Sequence, residues 1–152
     1  MMEYQQSDTE MTLQQGLEEY YASRDDLQHG RGMSEAATDF FRCHDTVHVV
    51  FGCDTELPSE AGVKMWSFFG TDVGLKRLHQ GYALEESKEI YTSLRFLQMV
   101  DAGLRSLVIV PVVMYHCFRM KKRWHWSDFD DYRMTPLKSI REEFGITIVR
   151  IG

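Results

Sequence analysis

A chain of 152 residues, 43% apolar and 26% charged, is long enough for one core and has the composition of a globular protein, which argues against disorder. Seventeen Lys and Arg against 23 Asp and Glu leave a formal charge of −6, the opposite of the basic footprint that a nucleic-acid binder needs. Its three cysteines, Cys43, Cys53 and Cys117, are widely spaced and form no CxxC pair; they read as reduced thiols, neither a disulfide framework nor a zinc ribbon.

In chain order, Met1 to Glu10 is acidic and polar, without the apolar stretch of a signal peptide or the arginines of a presequence. A cytoplasmic protein is expected, free or peripheral on the cytoplasmic face of the inner membrane. A first helix is predicted from Thr12 to Arg24, with Leu13, Leu17, Tyr20 and Tyr21 on one face as packing residues. Asp25 to Gly32 is a loop. Ser34 can cap a second helix running to Phe51, which Gly52 ends. Thr55-Glu-Leu-Pro58 opens a third, because proline fits a first turn. Gly70 and Gly74 break or bend the chain beyond it. Glu85 to Lys121 is a long helical pattern that Pro111 should kink or split. Its longest apolar run, the nine residues Leu107 to Tyr115, falls short of the about 20 that a bilayer helix needs. Asp128 to Asp131 is a polar turn. Thr135 caps a last helix that begins at Pro136 and stops at Gly145. The tail Ile146 to Ile151 alternates like a short strand without a partner. The expected fold is all-α: a single compact helical domain over residues 1–152, with a long Pro-kinked helix and a short extended C-terminal tail.

The second helix carries the chemistry. At about 100° per residue, His44 and His48 lie roughly 40° apart on the helix and one turn apart along it. Ala37, Phe40, Phe41, Val47 and Phe51 share their side; Glu35, Thr38, Asp39, Arg42 and Thr46 gather opposite. Two imidazoles on one apolar face need partners for their ring nitrogens, and a shared metal ion supplies one, as in helices that hold zinc through two histidines at this spacing. Asp45, at the border of that face, is a third ligand or an orienting group. Glu60, twelve residues after His48, sits in the first turn of the next helix, where the dipole favours an ionised carboxylate. Such a mixed nitrogen and oxygen site suits Zn²⁺, Mn²⁺, Fe²⁺ or Co²⁺.

The pattern His44-Asp-x-x-His48, eleven residues, then Glu60 is similar to the signature of the coenzyme Q (ubiquinone) biosynthesis protein 4 family. Phe41-Arg42 before it, Gly52 after it and Leu57 before the glutamate resemble the family's surroundings. Leu137-Lys-Ser-Ile-Arg-Glu-Glu-Phe-Gly-Ile146 resembles its C-terminal signature. The chain departs from the pattern at Ser59, at Ser67-Phe-Phe-Gly-Thr71 and at Gly74. The resemblance implies a metal held by His44, Asp45, His48 and Glu60, zinc before Mn, Fe, Co or Mg, with the same four residues catalytic. It implies removal of the ring carboxyl at carbon 1 of a polyprenylated hydroxybenzoate, with hydroxylation of the same carbon. It also implies a prenylated aromatic lipid as ligand, other quinone-biosynthesis proteins as partners, peripheral membrane contact and a homo-oligomer, a dimer. Leu94, Leu97, Val100, Leu104, Leu107, Val108 and Val112 are then candidates to line a prenyl channel, or ordinary helix core.

Two other readings compete. One is a non-catalytic prenyl-lipid scaffold. The other is an HD-type phosphohydrolase, in which His44-Asp45 would need a distant His and Asp, from His79 or His116 and Asp101 or Asp128. The stretch Arg119-Met-Lys-Lys-Arg-Trp-His-Trp126 combines cations and tryptophans as a membrane-surface segment does, or is a helix end with cations against its dipole.

Overall fold

The computed structural model describes residues 1–23, 34–54, 57–83 and 96–149, and these build an all-α protein. The helices are α1 (Leu13–Ala22), α2 (Glu35–Phe51), α3 (Leu57–Met65), α4 (Leu75–Tyr82), α5 (Phe96–Arg119) and α6 (Leu137–Phe144). Among the described residues there is no strand, only the isolated bridges Thr12–Pro136 and Thr71–Trp124. The predicted loop at Asp25 to Gly32, the helix start at Thr55 and the pattern from Glu85 to Arg95 lie outside the described residues.

Helix α2 is the axle of the molecule. Ser34 caps it by accepting from the Ala37 backbone N–H, and Gly52 closes it in the left-handed region at φ 66°. α1, α3, α4, α6 and the N-terminal turn Glu3–Gln5 all pack on it. From Cys43 to Phe51 every side chain is buried. The amphipathic reading therefore fails at Thr46, expected on the outer face and fully buried. Its hydroxyl donates to the Arg42 carbonyl, the local bond that lets a threonine enter an apolar helix interior.

α1 begins as expected, with Thr12 and Gln15 forming a reciprocal capping box. α6 does not. In place of the expected Thr135 cap, the Thr135 carbonyl accepts from Leu13, while the Leu137 N–H donates to Met11. These bonds hold Pro136 extended, at ψ 137°, so the helix begins only at Leu137 and has no side-chain cap. Gly145 ends it at φ 70°, as expected. The tail to Val149 forms no strand; Ile146 and Val149 lie against the core.

α3 runs on into a π-helical turn, Trp66–Gly70, where Trp66 stacks on Phe51 at 4.4 Å. α5 packs along α3, and its inner face buries Ile109, Val113 and Cys117. Pro111 does not split α5. It lies exposed on the outer face, where water can serve the carbonyl left without a helical donor. Beyond α5, Trp124 and Trp126 are buried, and the Trp124 N–H donates to Gly70 at 2.7 Å. Lys121 donates to the Glu142 carbonyl and Lys122 to the Glu143 carboxylate. The tryptophans predicted to suit a membrane surface are thus core residues. Among the described residues no helix is long and apolar enough to cross a membrane.

Arg141 ties the ends of the chain to the axle. It is 4% exposed, and its guanidinium donates to the carbonyls of Val49, Val50, Tyr4 and Gln6. Burial pulls its pKa down to about 10, which still leaves a cation at neutral pH. Two of its acceptors lie in the last turn of α2, where helical carbonyls lack intrahelical donors. Replacing Arg141 with Met should destabilise the protein by about 3 kcal/mol or more, since each stranded buried carbonyl costs roughly 1–3 kcal/mol. Urea denaturation measures this, and a loss below about 1 kcal/mol would show that water replaces the guanidinium.

Candidate metal centre

The turn after α2 sets the geometry of the site. With Gly52 left-handed, the Cys53 N–H donates back to the His48 carbonyl at 2.9 Å and the chain reverses. A side chain at Gly52 would also strike Ile148, 2.8 Å from a Cβ placed there. The reversal brings the Asp54 carbonyl to His48 Nδ1 at 3.0 Å. It also starts α3 at Leu57, so Glu60 falls in the first helical turn and faces back towards α2.

His44, His48 and Glu60 thereby converge: one ligand atom from each lies within 4.8 Å of the others. Glu60 Oε1 is 3.2 Å from His48 Nε2, and Oε2 is 3.7 Å from His44 Nε2. The imidazole rings are 4.9 Å apart at 69°. Phe40 stacks on His44 and Tyr20 lies against His48, so the cluster is walled by aromatic carbon.

A carbonyl only accepts, so His48 carries a proton on Nδ1 for Asp54, and its lone pair on Nε2 faces a carboxylate. His44 presents Nε2 to the same carboxylate, beyond hydrogen-bond reach. Both Nε2 atoms are buried; that of His44 has no hydrogen-bond partner, and that of His48 bonds Glu60 only when it carries a proton. With its proton on Nδ1, His48 turns an acceptor towards an acceptor, an arrangement relieved by a second proton on that ring or by a metal ion shared with His44. Ligand atoms about 2.0–2.1 Å from one tetrahedral ion sit roughly 3.3 Å apart, close to the two distances to Glu60, 3.2 and 3.7 Å. The residues fit a divalent metal.

Asp45 stands outside the group of three, beside the His44 ring. Its carboxylate lies 3.7 Å from His44 Nδ1, on the side of the ring away from Glu60, and accepts from the Tyr20 hydroxyl at 3.2 Å. Tyr21 also reaches it, and its phenol is pushed up by burial and then by the charge and hydrogen bond of Asp45, so it stays a donor. Both tyrosines, read from the sequence as packing residues, are polar supports of the site. Adjacent hydroxyls on an otherwise apolar helix face, in need of a buried acceptor, were the signal. The Asp54 carbonyl left none.

Of the groups an HD-type site would add, His79 and Asp128 are exposed, His116 is half-buried on α5, and none joins the cluster; the Asp101 side chain lies outside the described residues. His125 instead pairs with Asp72 at 3.2 Å. Burial pushes the Cys43 and Cys117 thiols up to about 12, with the Asp39 charge adding to it at Cys43, so neither is a thiolate at neutral pH. Compared with family models, curated proteins and solved structures, the chain matches none of them.

The proton and the metal compete for one place, which gives the site a pH signature. Burial lowers the pKa of His48, but the hydrogen bond and charge of Glu60, with Asp45 and the Asp54 carbonyl, outweigh it and raise the value above 6.5. Burial raises the pKa of Glu60, but the His48 hydrogen bond and the charges of His48, His44 and Lys64 carry it from 4.5 down to about 2. A raised histidine stabilises the fold fully below 6.5 and loses that contribution as pH rises through its folded value; a lowered glutamate does so above 4.5 and loses it as pH falls through about 2. Without metal, the pair should stabilise most between 4.5 and 6.5. Added Zn²⁺ should therefore raise the melting temperature more at about pH 8.5 than at about pH 5.5. Equal shifts at both values, measured with and without chelator, would contradict a shared proton and metal site. His44→Ala should abolish metal binding yet leave a folded helical protein about 1–3 kcal/mol less stable. Complete unfolding of this variant, followed by circular dichroism, would make the metal structural.

Proposed function

We propose that the protein is a divalent-metal protein acting on a polyprenylated hydroxybenzoate, removing the ring carboxyl at carbon 1 as carbon dioxide while a proton from solvent takes its place on the ring. The observation that carries this reading is the pair of buried Nε2 atoms of His44 and His48 aimed at one carboxylate. Zinc is the first candidate, because two imidazoles and a carboxylate leave an open position at a tetrahedral ion; Mn, Fe, Co and Mg are the others. Such an ion, when bound, binds carboxylate and phenolate oxygens and offsets negative charge that develops on the ring. The chain's own residues do the rest. Asp45, Tyr20 and Tyr21 hold His44 in place, the Asp54 carbonyl fixes the tautomer of His48, and Phe40 and Tyr20 exclude water on two sides.

The exposed outer face of α5 supports a long apolar ligand or a second subunit. Leu104, Leu107, Val108 and Phe118 are each more than 60% exposed along it, with Val112 between them. These side chains are therefore neither core nor the wall of an enclosed channel. Leu94, Leu97 and Val100 lie outside the described side chains. This face also supports the second reading, a prenyl-lipid-binding scaffold in which the metal anchors a headgroup without turnover.

Turnover separates the two. Metal-loaded protein incubated with a polyprenylated hydroxybenzoate should release carbon dioxide, and the release should vanish in Glu60→Ala. Binding without release would leave the scaffold, and no binding would reject both readings. Affinity should also rise with prenyl length, by about 0.8 kcal/mol per buried methylene, until the apolar surface is covered. A flat dependence would point to a water-soluble ligand.

A further inference from the structure

We propose that Tyr20 is a positioning residue that holds both imidazoles of the His44–His48–Glu60 centre at once, so that metal occupancy and the seating of α1 on α2 are coupled. The inference rests on the metal reading above and adds a means of regulating that site.

Tyr20 sits near the end of α1 and is 1% exposed. Its two parts meet different ligands. The hydroxyl donates to Asp45 Oδ1 at 3.2 Å, and that same oxygen lies 3.7 Å from His44 Nδ1. The ring lies against His48, with centroids 5.3 Å apart and planes at 37°. One side chain thus spans from the carboxylate beside the first imidazole to the face of the second. A tyrosine has only two side-chain torsions, so seating α1 sets both contacts together.

Each imidazole also has a hold of its own. His48 donates from Nδ1 to the Asp54 carbonyl at 3.0 Å, and Phe40 stacks on His44. A bond at Nδ1 fixes the direction of one edge of the His48 ring, and the contact with Tyr20 fixes its plane. Asp45 receives Tyr21 as well as Tyr20, so the Tyr20 hydroxyl is one of two that orient this carboxylate.

The N-terminal turn joins the same support. The Tyr4 ring meets that of Tyr20 edge-on at 6.2 Å. Its hydroxyl donates at 3.0 Å to the Cys53 carbonyl, one residue before the carbonyl that serves His48. Glu19 accepts from the backbone N–H groups of Glu3 and Tyr4, which ties that turn to α1. This part of the chain walls the centre yet supplies none of its three ligand groups. Linkage makes the effect reciprocal: where a seated Tyr20 tightens metal binding, bound metal holds α1 in its seat by the same factor.

Co²⁺ binding by the full chain, followed by the visible absorption of the metal and by competition with a chromophoric chelator, tests this. Tyr20→Phe keeps the ring and should weaken binding by about tenfold. Tyr20→Leu loses both contacts and should weaken it by about a hundredfold, with altered cobalt bands. Leu13→Ala, two turns away on the same helix, is the control. It should lower the melting temperature but keep the wild-type affinity and cobalt spectrum. Zn²⁺ should slow amide exchange over residues 17–22 more than over α6 in the wild type, and equally over both in Tyr20→Leu. Wild-type affinity and spectrum in Tyr20→Leu, or equal losses of affinity in Tyr20→Leu and Leu13→Ala, would overturn the role of Tyr20 while leaving the metal centre standing. Should Tyr20→Leu not fold, wild-type affinity in Tyr20→Phe overturns it instead. Failure of the wild type to take up Co²⁺ would remove the metal reading itself.

Discussion

The constraint on which the molecule turns is the burial of polar groups inside its central helix. The last nine residues of α2 are enclosed on all sides, and among them are two histidines and an aspartate. Buried polar atoms must find partners, at about 1–3 kcal/mol for each left without one. Domains of this size are stable by only about 5–15 kcal/mol. The fold answers atom by atom: Tyr20 and Tyr21 serve Asp45, Asp45 stands by His44, and the Asp54 carbonyl serves His48. There remain the Nε2 atoms of His44 and His48 and the carboxylate of Glu60, turned towards one another. A proton on His48 relieves one of these contacts, whereas a divalent cation would serve all three groups together.

The surrounding architecture keeps that convergence in register. Glu60 reaches the histidines only because Gly52 reverses the chain and α3 begins within a few residues. α3 is held in turn by α5 on one side and by the Phe51–Trp66 stack on the other. Arg141, from the last helix, seals the carbonyls at the end of α2 and fastens the N-terminal turn to them. Residues near both ends of the chain thus support a site built from its middle.

Much of this was legible in the sequence, wherever the signal was local. Ser34 and Gly52 bound α2 as their capping chemistry demands, and the spacing of His44 and His48 placed both on the buried face. The first-turn position of Glu60 made it a ligand candidate. The rest depended on tertiary contacts. Periodicity sends Thr46 outwards because it assumes a wet face along the whole helix, whereas the last nine residues of α2 are enclosed; composition sends Trp124 and Trp126 to a membrane surface, whereas they are buried although their neighbours are not. Thr135 loses its capping role to backbone bonds with residues over a hundred positions away. The division of labour between Asp45 and Glu60 could not be read from spacing, because it depends on which side of the His44 ring each carboxylate reaches.

The central claim is that His44, His48 and Glu60 share one metal ion. X-ray absorption at the zinc edge of Zn²⁺-loaded protein tests it most directly, since imidazole rings give a characteristic outer-shell scattering. The account predicts one ion per chain with two imidazole ligands at about 2.0–2.1 Å and oxygen completing the shell. One imidazole should disappear in His48→Ala. A spectrum with sulfur ligands, or with oxygen alone and no change in that variant, would contradict it.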